Sequence, residues 1–242
     1  MMKFTNLRLA LLAVIVAVVF SGAGLADGTS ARRTAHHHHY HAYPHHYRQP
    51  LGEVPAGRGT LQAKAQYCTD CHGMSGQGYR GYYPMPRLAG QTTEYFENSL
   101  RSFVERARET HIAITMSKTH GGLSPEMRAA LAAHFRDLNP RPYGNAPRGL
   151  VDAGRKIFEE GVPDANVPAC SACHGPDAKG NAAIPRLAGQ LYPYTVKELA
   201  NWSTERGQNP RSPDTSAIMQ PIAHSLDKSQ IEAVAAYLAY QE

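Results

Sequence analysis

Cys68-Thr69-Asp70-Cys71-His72 and Cys170-Ser171-Ala172-Cys173-His174 share the spacing C-x-x-C-H, and together they use all four cysteines of the chain. This spacing attaches a c-type haem. Two thiols add across the two vinyl groups of one porphyrin, and the adjacent imidazole then lies under the iron. A pair of disulfides, or one zinc site made from two C-x-x-C pairs, would use the same cysteines. Neither accounts for a histidine in both copies, nor for the glycines that follow, Gly73 and Gly175. The residues therefore predict two covalently bound haem c groups, held through Cys68, Cys71, Cys170 and Cys173. His72 and His174 are the expected ligands on one side of each iron.

The other side of each iron needs a ligand too, and methionine or histidine usually supplies it in electron carriers. After its haem motif the second half has one methionine, Met219. Its partner in the repeat is Met116, since Met116 precedes Leu123 and Met219 precedes Leu226 by the same seven residues. This match selects Met116 over Met74, Met85 and Met127. The rival histidines His111, His120 and His224 have no counterpart in the other half, and His134 aligns with Tyr237 on the last helix.

Elements must position these residues, and the chain supplies them twice. Pro86-Arg87-Leu88-Ala89-Gly90-Gln91 recurs letter for letter as Pro185-Arg186-Leu187-Ala188-Gly189-Gln190. Six identical residues at the same place after each motif mean internal duplication. Tyr95 then matches Tyr194, Leu100 matches Leu199, and Phe103 matches Trp202. Each half closes on an alanine-rich helix, Ser124 to Leu138 and Asp227 to Tyr240, with Ser124 and Asp227 standing as N-caps. A first helix, near Gly59 to Tyr67 and again Val151 to Glu160, is expected to lead into each C-x-x-C-H. Strand signals are weak, and each half reads as about three to five helices with long loops.

Asn139 to Gly149 holds three prolines and two glycines, which marks a linker. The expected organisation is a signal peptide at 1–26, a His-rich tail at 27–57, a first domain at 58–138, the linker at 139–149, and a second domain at 150–242. Each domain is small for a self-sufficient core, and a covalent haem supplies the apolar body that short helices can pack around.

Lys3 and Arg8 precede an uncharged run from Leu9 to Phe20, and small residues follow up to Ala26. This is a secretory pattern with cleavage expected after Ala26, and the run is short for a membrane span. An uncleaved signal would tie the protein to a membrane. Losing residues 1–26 removes two basic and no acidic residues, so the formal charge falls from +5 to +3. Four haem propionates could cancel that, and no nucleic-acid partner is inferred. The tail carries His36, His37, His38, His39, His41, His45 and His46. Such a tract can bind Cu(II), Zn(II) or Ni(II), or serve as a solvated spacer.

The ordered set of C-H-G at each haem motif, P-R-L-A-G-Q, and Met ahead of a Leu-initiated helix resembles the dihaem cytochromes c4 over about residues 58–242. The resemblance implies an all-α fold of two tandem cytochrome c-type domains related by internal duplication and a pseudo-twofold axis. It implies His/Met ligation of both irons, with Pro86 and Pro185 offering carbonyls to the proximal histidines. Arg87 and Arg186 would pair with haem propionates or face solvent, and Gly90 and Gly189 would permit tight turns. The His-rich tail and the long Tyr79–Tyr83 loop depart from the family pattern.

The function implied is single-electron transfer in the periplasm. The partners implied are redox proteins, with electrons passing from a membrane quinol-oxidising complex or a dehydrogenase to a terminal oxidase. Three alternatives stand beside it: a dihaem subunit of a dehydrogenase, a haem peroxidase-type enzyme, and a metal-binding protein working through the His tract. The peroxidase needs an open iron, which the matched Met116 and Met219 argue against.

Overall fold

The computed structural model describes residues 59–242 except 109, 121 and 207–214. The expected signal segment and the His-rich tract lie outside the described residues. Two sets of helices follow one another. The first comprises α1 (Leu61–His72), α2 (Thr93–Val104), α3 (His111–His120) and α4 (Pro125–Arg136). The second comprises α5 (Val151–Glu160), α6 (Ser171–His174), α7 (Tyr192–Ala200), α8 (Trp202–Glu205), α9 (Met219–Ser225) and α10 (Lys228–Leu238). Among the described residues there are isolated β-bridges and no strands, and no helix is long and apolar enough to cross a membrane.

Local chemistry sets the helix starts. Thr60 caps α1 by accepting from the Ala63 N–H, and Ser124 caps α4 by accepting from the Met127 N–H. Pro125 takes the first position of α4, where its missing N–H costs nothing. Asp227 and Gln230 form a reciprocal capping box on α10. The closing helices span Pro125–Arg136 and Lys228–Leu238, slightly inside the expected limits.

The first helices differ from expectation. α1 begins at Leu61 and runs on through the whole motif to His72. α5 instead stops at Glu160, and the second motif sits on the separate short helix α6. Gly161 causes the break. Its φ of +76° suits glycine, and a Cβ there would lie 2.3 Å from the Val167 carbonyl oxygen. The chain then makes a turn closed by Val162 and Val167 before α6 begins.

Each half has its own apolar core. In the first, Phe96 of α2 stacks on Phe135 of α4 at 5.4 Å, with Leu100 and Leu131 beside them. In the second, Phe158 of α5 meets Tyr237 of α10 at 5.4 Å, with Val234 and Leu238. Gly154 lets α5 and α10 touch backbone to backbone, because a Cβ there would fall 1.9 Å from the Ala233 carbonyl oxygen. The proline-rich connection is tied to both halves. The Pro140 carbonyl accepts from Arg87, the Tyr143 hydroxyl accepts from Gln77, and Ala146 exchanges hydrogen bonds with the Tyr240 hydroxyl.

Candidate functional site

Both C-x-x-C-H motifs end in a buried imidazole. His72 is 4 % exposed and His174 is 5 % exposed. His72 Nδ1 lies 2.8 Å from the Pro86 carbonyl oxygen, and His174 Nδ1 lies 2.9 Å from that of Pro185. A carbonyl only accepts, so Nδ1 carries the proton in each ring and Nε2 is left with its lone pair. The Nε2 of His72 is buried without a hydrogen-bond partner. Burial lowers the pKa of both histidines, against the opposing pull of the proline carbonyls. Neutral imidazole with a free Nε2 is the form that ligates a metal.

The loops that present the prolines are built alike. The Gly76 carbonyl accepts from the N–H groups of Leu88 and Ala89, as the Ala178 carbonyl does from Leu187 and Ala188. The Gly90 N–H then donates to the Phe135 carbonyl at the end of α4, and the Gly189 N–H to the Leu238 carbonyl at the end of α10. Each repeat thus ties its histidine to its closing helix.

A cavity of about 430 Å³ reaches the motifs of both halves. Cys68, His72 and Met116 of the first half line it together with Cys170, His174 and Met219 of the second. Its walls are largely apolar, with Phe103 and Trp202 in matched positions. Met116 on α3 and Met219 at the start of α9 are both half-buried. Met74 is 90 % exposed, and Met127 packs against the first core. Met85 also lines the cavity and is adjacent in the chain to Pro86. His111 and His224 are exposed, His134 packs edge-on against Phe135, and the His120 side chain lies outside the described residues.

The cysteines fit covalent attachment. Among the described residues none forms a disulfide, and no group of three or more His, Cys, Asp or Glu is placed to hold a metal ion. Cys68 and Cys170 are half-buried, and burial pushes both thiols up to about 11. They therefore stay protonated at neutral pH, while Cys71 and Cys173 are exposed, and Cys173 also lines the cavity.

Arg87 and Arg186 are buried rather than solvent-facing. Each Nε donates to an alanine carbonyl of its own segment, Ala89 or Ala188, at 3.0 Å. Arg87 Nη1 and Arg186 Nη2 are buried without partners. Burial, and then the neighbouring Arg186 charge, pushes Arg87 down to about 10. Two adjacent buried guanidiniums with spare donors call for anionic acceptors, and haem carboxylates meet that need. The buried Nε2, the paired thiols, the apolar walls and the spare arginine donors all fit haem.

The sequence reading missed a charged cluster beside this cavity. Arg206 pairs with Glu198 at 2.7 Å and donates to the Tyr194 and Tyr95 hydroxyls at 2.9 and 3.3 Å. Lys197 bridges Glu198 and Glu205 at 3.0 and 2.8 Å. Burial works against the Glu198 charge, but Arg206 and Lys197 hold its carboxyl below the usual range. In the register that matches Tyr95 to Tyr194, the first half has Asn98, Ser99 and Ala107 where the second has Lys197, Glu198 and Arg206. That difference was the available signal.

These features define a c-type cytochrome with two covalently bound haem c groups, an electron-transport protein that binds haem iron. The cytochrome c family model matches residues 151–242. The cytochrome c4 of Azotobacter vinelandii is 31 % identical over 195 residues, which cover 77 % of this chain and 88 % of that protein. The thiosulfate dehydrogenase electron acceptor of Thiomonas intermedia (strain K12) is 33 % identical over 193 residues, covering 78 % and 84 %. The Acidithiobacillus ferrooxidans cytochrome c4 structure superposes with a TM-score of 0.63 at 33 % identity, covering 73 % of this chain and 99 % of that one. The chain belongs to the dihaem cytochrome c4 family, and its fold is all-α with two tandem cytochrome c domains.

Proposed function

We propose that this cytochrome carries single electrons between respiratory partners in the periplasm, through two haems that are both closed by His and Met. The presence of His72, Met116, His174 and Met219 along one apolar cavity, with the two methionines at matched places in the repeat, carries this reading. Cys68 with Cys71 and Cys170 with Cys173 make the thioether attachments. The haem supplies an Fe(III)/Fe(II) couple that takes up and releases one electron.

The chain's own residues set how that couple behaves. Pro86 and Pro185 orient the imidazoles and raise their basicity. Met116 and Met219 would hold the iron opposite the histidines, and a thioether there would keep external ligands out. Arg87 and Arg186 offset the propionate charges. Residues 58–138 and 150–242 are the two haem-carrying domains, joined by 139–149. Export is supported by the basic-then-apolar start of the chain. A dehydrogenase as electron donor is supported by the name of the Thiomonas relative. A membrane quinol-oxidising complex as donor and a terminal oxidase as acceptor complete the proposed route.

Met219→Ala tests the ligation. It should lower the potential of the second haem and let carbon monoxide bind it when reduced, with the first haem unchanged. An unaltered potential and spectrum would remove Met219 from the iron.

A further inference from the structure

The repeated Pro-Arg-Leu-Ala-Gly-Gln segments meet each other across the two halves. The peptide group joining Pro86 to Arg87 has its carbonyl oxygen 2.8 Å from His72 Nδ1. The N–H of that same group donates to Gln190 Oε1, also at 2.8 Å. One planar unit therefore carries the imidazole of the first half on one side and a glutamine of the second half on the other. The peptide joining Pro185 to Arg186 mirrors this. Its carbonyl oxygen lies 2.9 Å from His174 Nδ1, and its N–H donates to Gln91 Oε1 at 2.7 Å.

The two glutamines are fixed in place. Gln190 Oε1 also accepts from the Leu191 N–H at 2.9 Å, and its Nε2 donates to the Arg87 carbonyl at 3.3 Å. Gln91 Oε1 accepts from the Thr92 N–H at 3.1 Å, and its Nε2 donates to the Arg186 carbonyl at 3.2 Å. Both side chains are buried, so water does not compete for these bonds. The glycines complete the fit. A Cβ at Gly90 would lie 3.2 Å from Arg186 Nη1, and one at Gly189 would lie 3.4 Å from Arg87 Nη1.

Hydrogen bonds in a chain polarise one another. A peptide that donates its N–H to a good acceptor gathers charge on its carbonyl oxygen. That oxygen then draws harder on the imidazole N–H, and Nε2 becomes the stronger donor to a metal. A stronger donor favours the ferric state and lowers the potential.

We propose that Gln190 tunes the haem held by His72 and that Gln91 tunes the haem held by His174, each from the opposite half. The glutamines are positioning residues that act through a peptide and an imidazole. The proposal rests on His72 and His174 being the axial histidines.

The test uses the full-length holoprotein with Gln190→Leu and, separately, Gln91→Leu. Each haem potential is read by a redox titration followed through the haem methyl resonances. The Nδ1–H resonances of the axial histidines are read in the reduced protein. Two such resonances in the unaltered protein establish the histidine ligation, and their absence would defeat that reading whatever the variants do. Gln190→Leu should raise the potential of the first haem, shift the His72 Nδ1–H resonance, and leave the second haem and His174 in place. Gln91→Leu should do the reverse. Equal shifts at both haems, a shift in the variant's own half, or no shift would overturn the proposal. If Gln190→Leu fails to retain haem, Gln190→Glu keeps the acceptor oxygen. It should lower the first potential more than the second, and an equal fall would overturn the proposal too.

Discussion

The histidine of each motif is oriented by a hydrogen bond to a proline carbonyl, and the next residue on the same loop is an arginine with an unused donor. Burying a guanidinium is costly unless an anion meets it. Arg87 and Arg186 sit close enough for one to weaken the other's hold on its proton. A cation beside a haem favours the reduced iron, because reduction adds a negative charge. Arg87→Gln should therefore lower the potential of the first haem by some tens of millivolts, since about 59 mV corresponds to a tenfold change for one electron. Spectroelectrochemical titration of the holoprotein checks this, and a rise would contradict it.

The burial of His72 and His174 and their bonds to Pro86 and Pro185 follow from residues close in the chain. The cysteines and histidines stand within five consecutive positions, and the repeat matches Met116 to Met219, both of which line the cavity. Gln91 and Gln190 were visible only as the last letters of a repeat. Their partners lie 95 and 103 positions away, and no local period marks a contact of that span. The burial of the two arginines escaped for the same reason, because the other half covers them.

At the scale of elements, caps and closing helices followed from local rules, since an N-cap is chosen by the residue at the helix start. The second motif's placement on α6 did not. The apolar spacing of α5 ends well before Cys170, and Gly161 fixes a turn that a periodic pattern cannot describe. Gly154 looks like an ordinary weak point in a helix, yet it is where α5 and α10 make backbone contact. A methyl group there meets a carbonyl that has no rotamer to change. Gly154→Ala should cost at least about 1–3 kcal/mol, the usual range for overpacking. Thermal unfolding of the holoprotein reads this as a fall of roughly 2–4 °C per kcal/mol. An unchanged or raised melting temperature would mean that the helices can part freely at this point.

Across the whole molecule, the two copies of one segment pair in a self-complementary way. Gln91 reaches Arg186 as Gln190 reaches Arg87, which is the signature of a twofold relation. The pairing accounts for the letter-for-letter identity of the segments, because each must fit both its own histidine and the other copy. Symmetry ends at the Lys197, Glu198 and Arg206 cluster of the second half, which also takes in Tyr95 of the first.

Closure of both irons by histidine and methionine has a spectroscopic signature. The visible and near-infrared spectrum of the purified holoprotein, oxidised and reduced, with and without carbon monoxide, reads it. The expected result is a methionine-to-iron charge-transfer band accounting for two haems, and no change when carbon monoxide is added to the reduced protein. A missing band together with a carbon monoxide complex would contradict it, and would place an open iron and ligand chemistry where Met116 or Met219 is assigned.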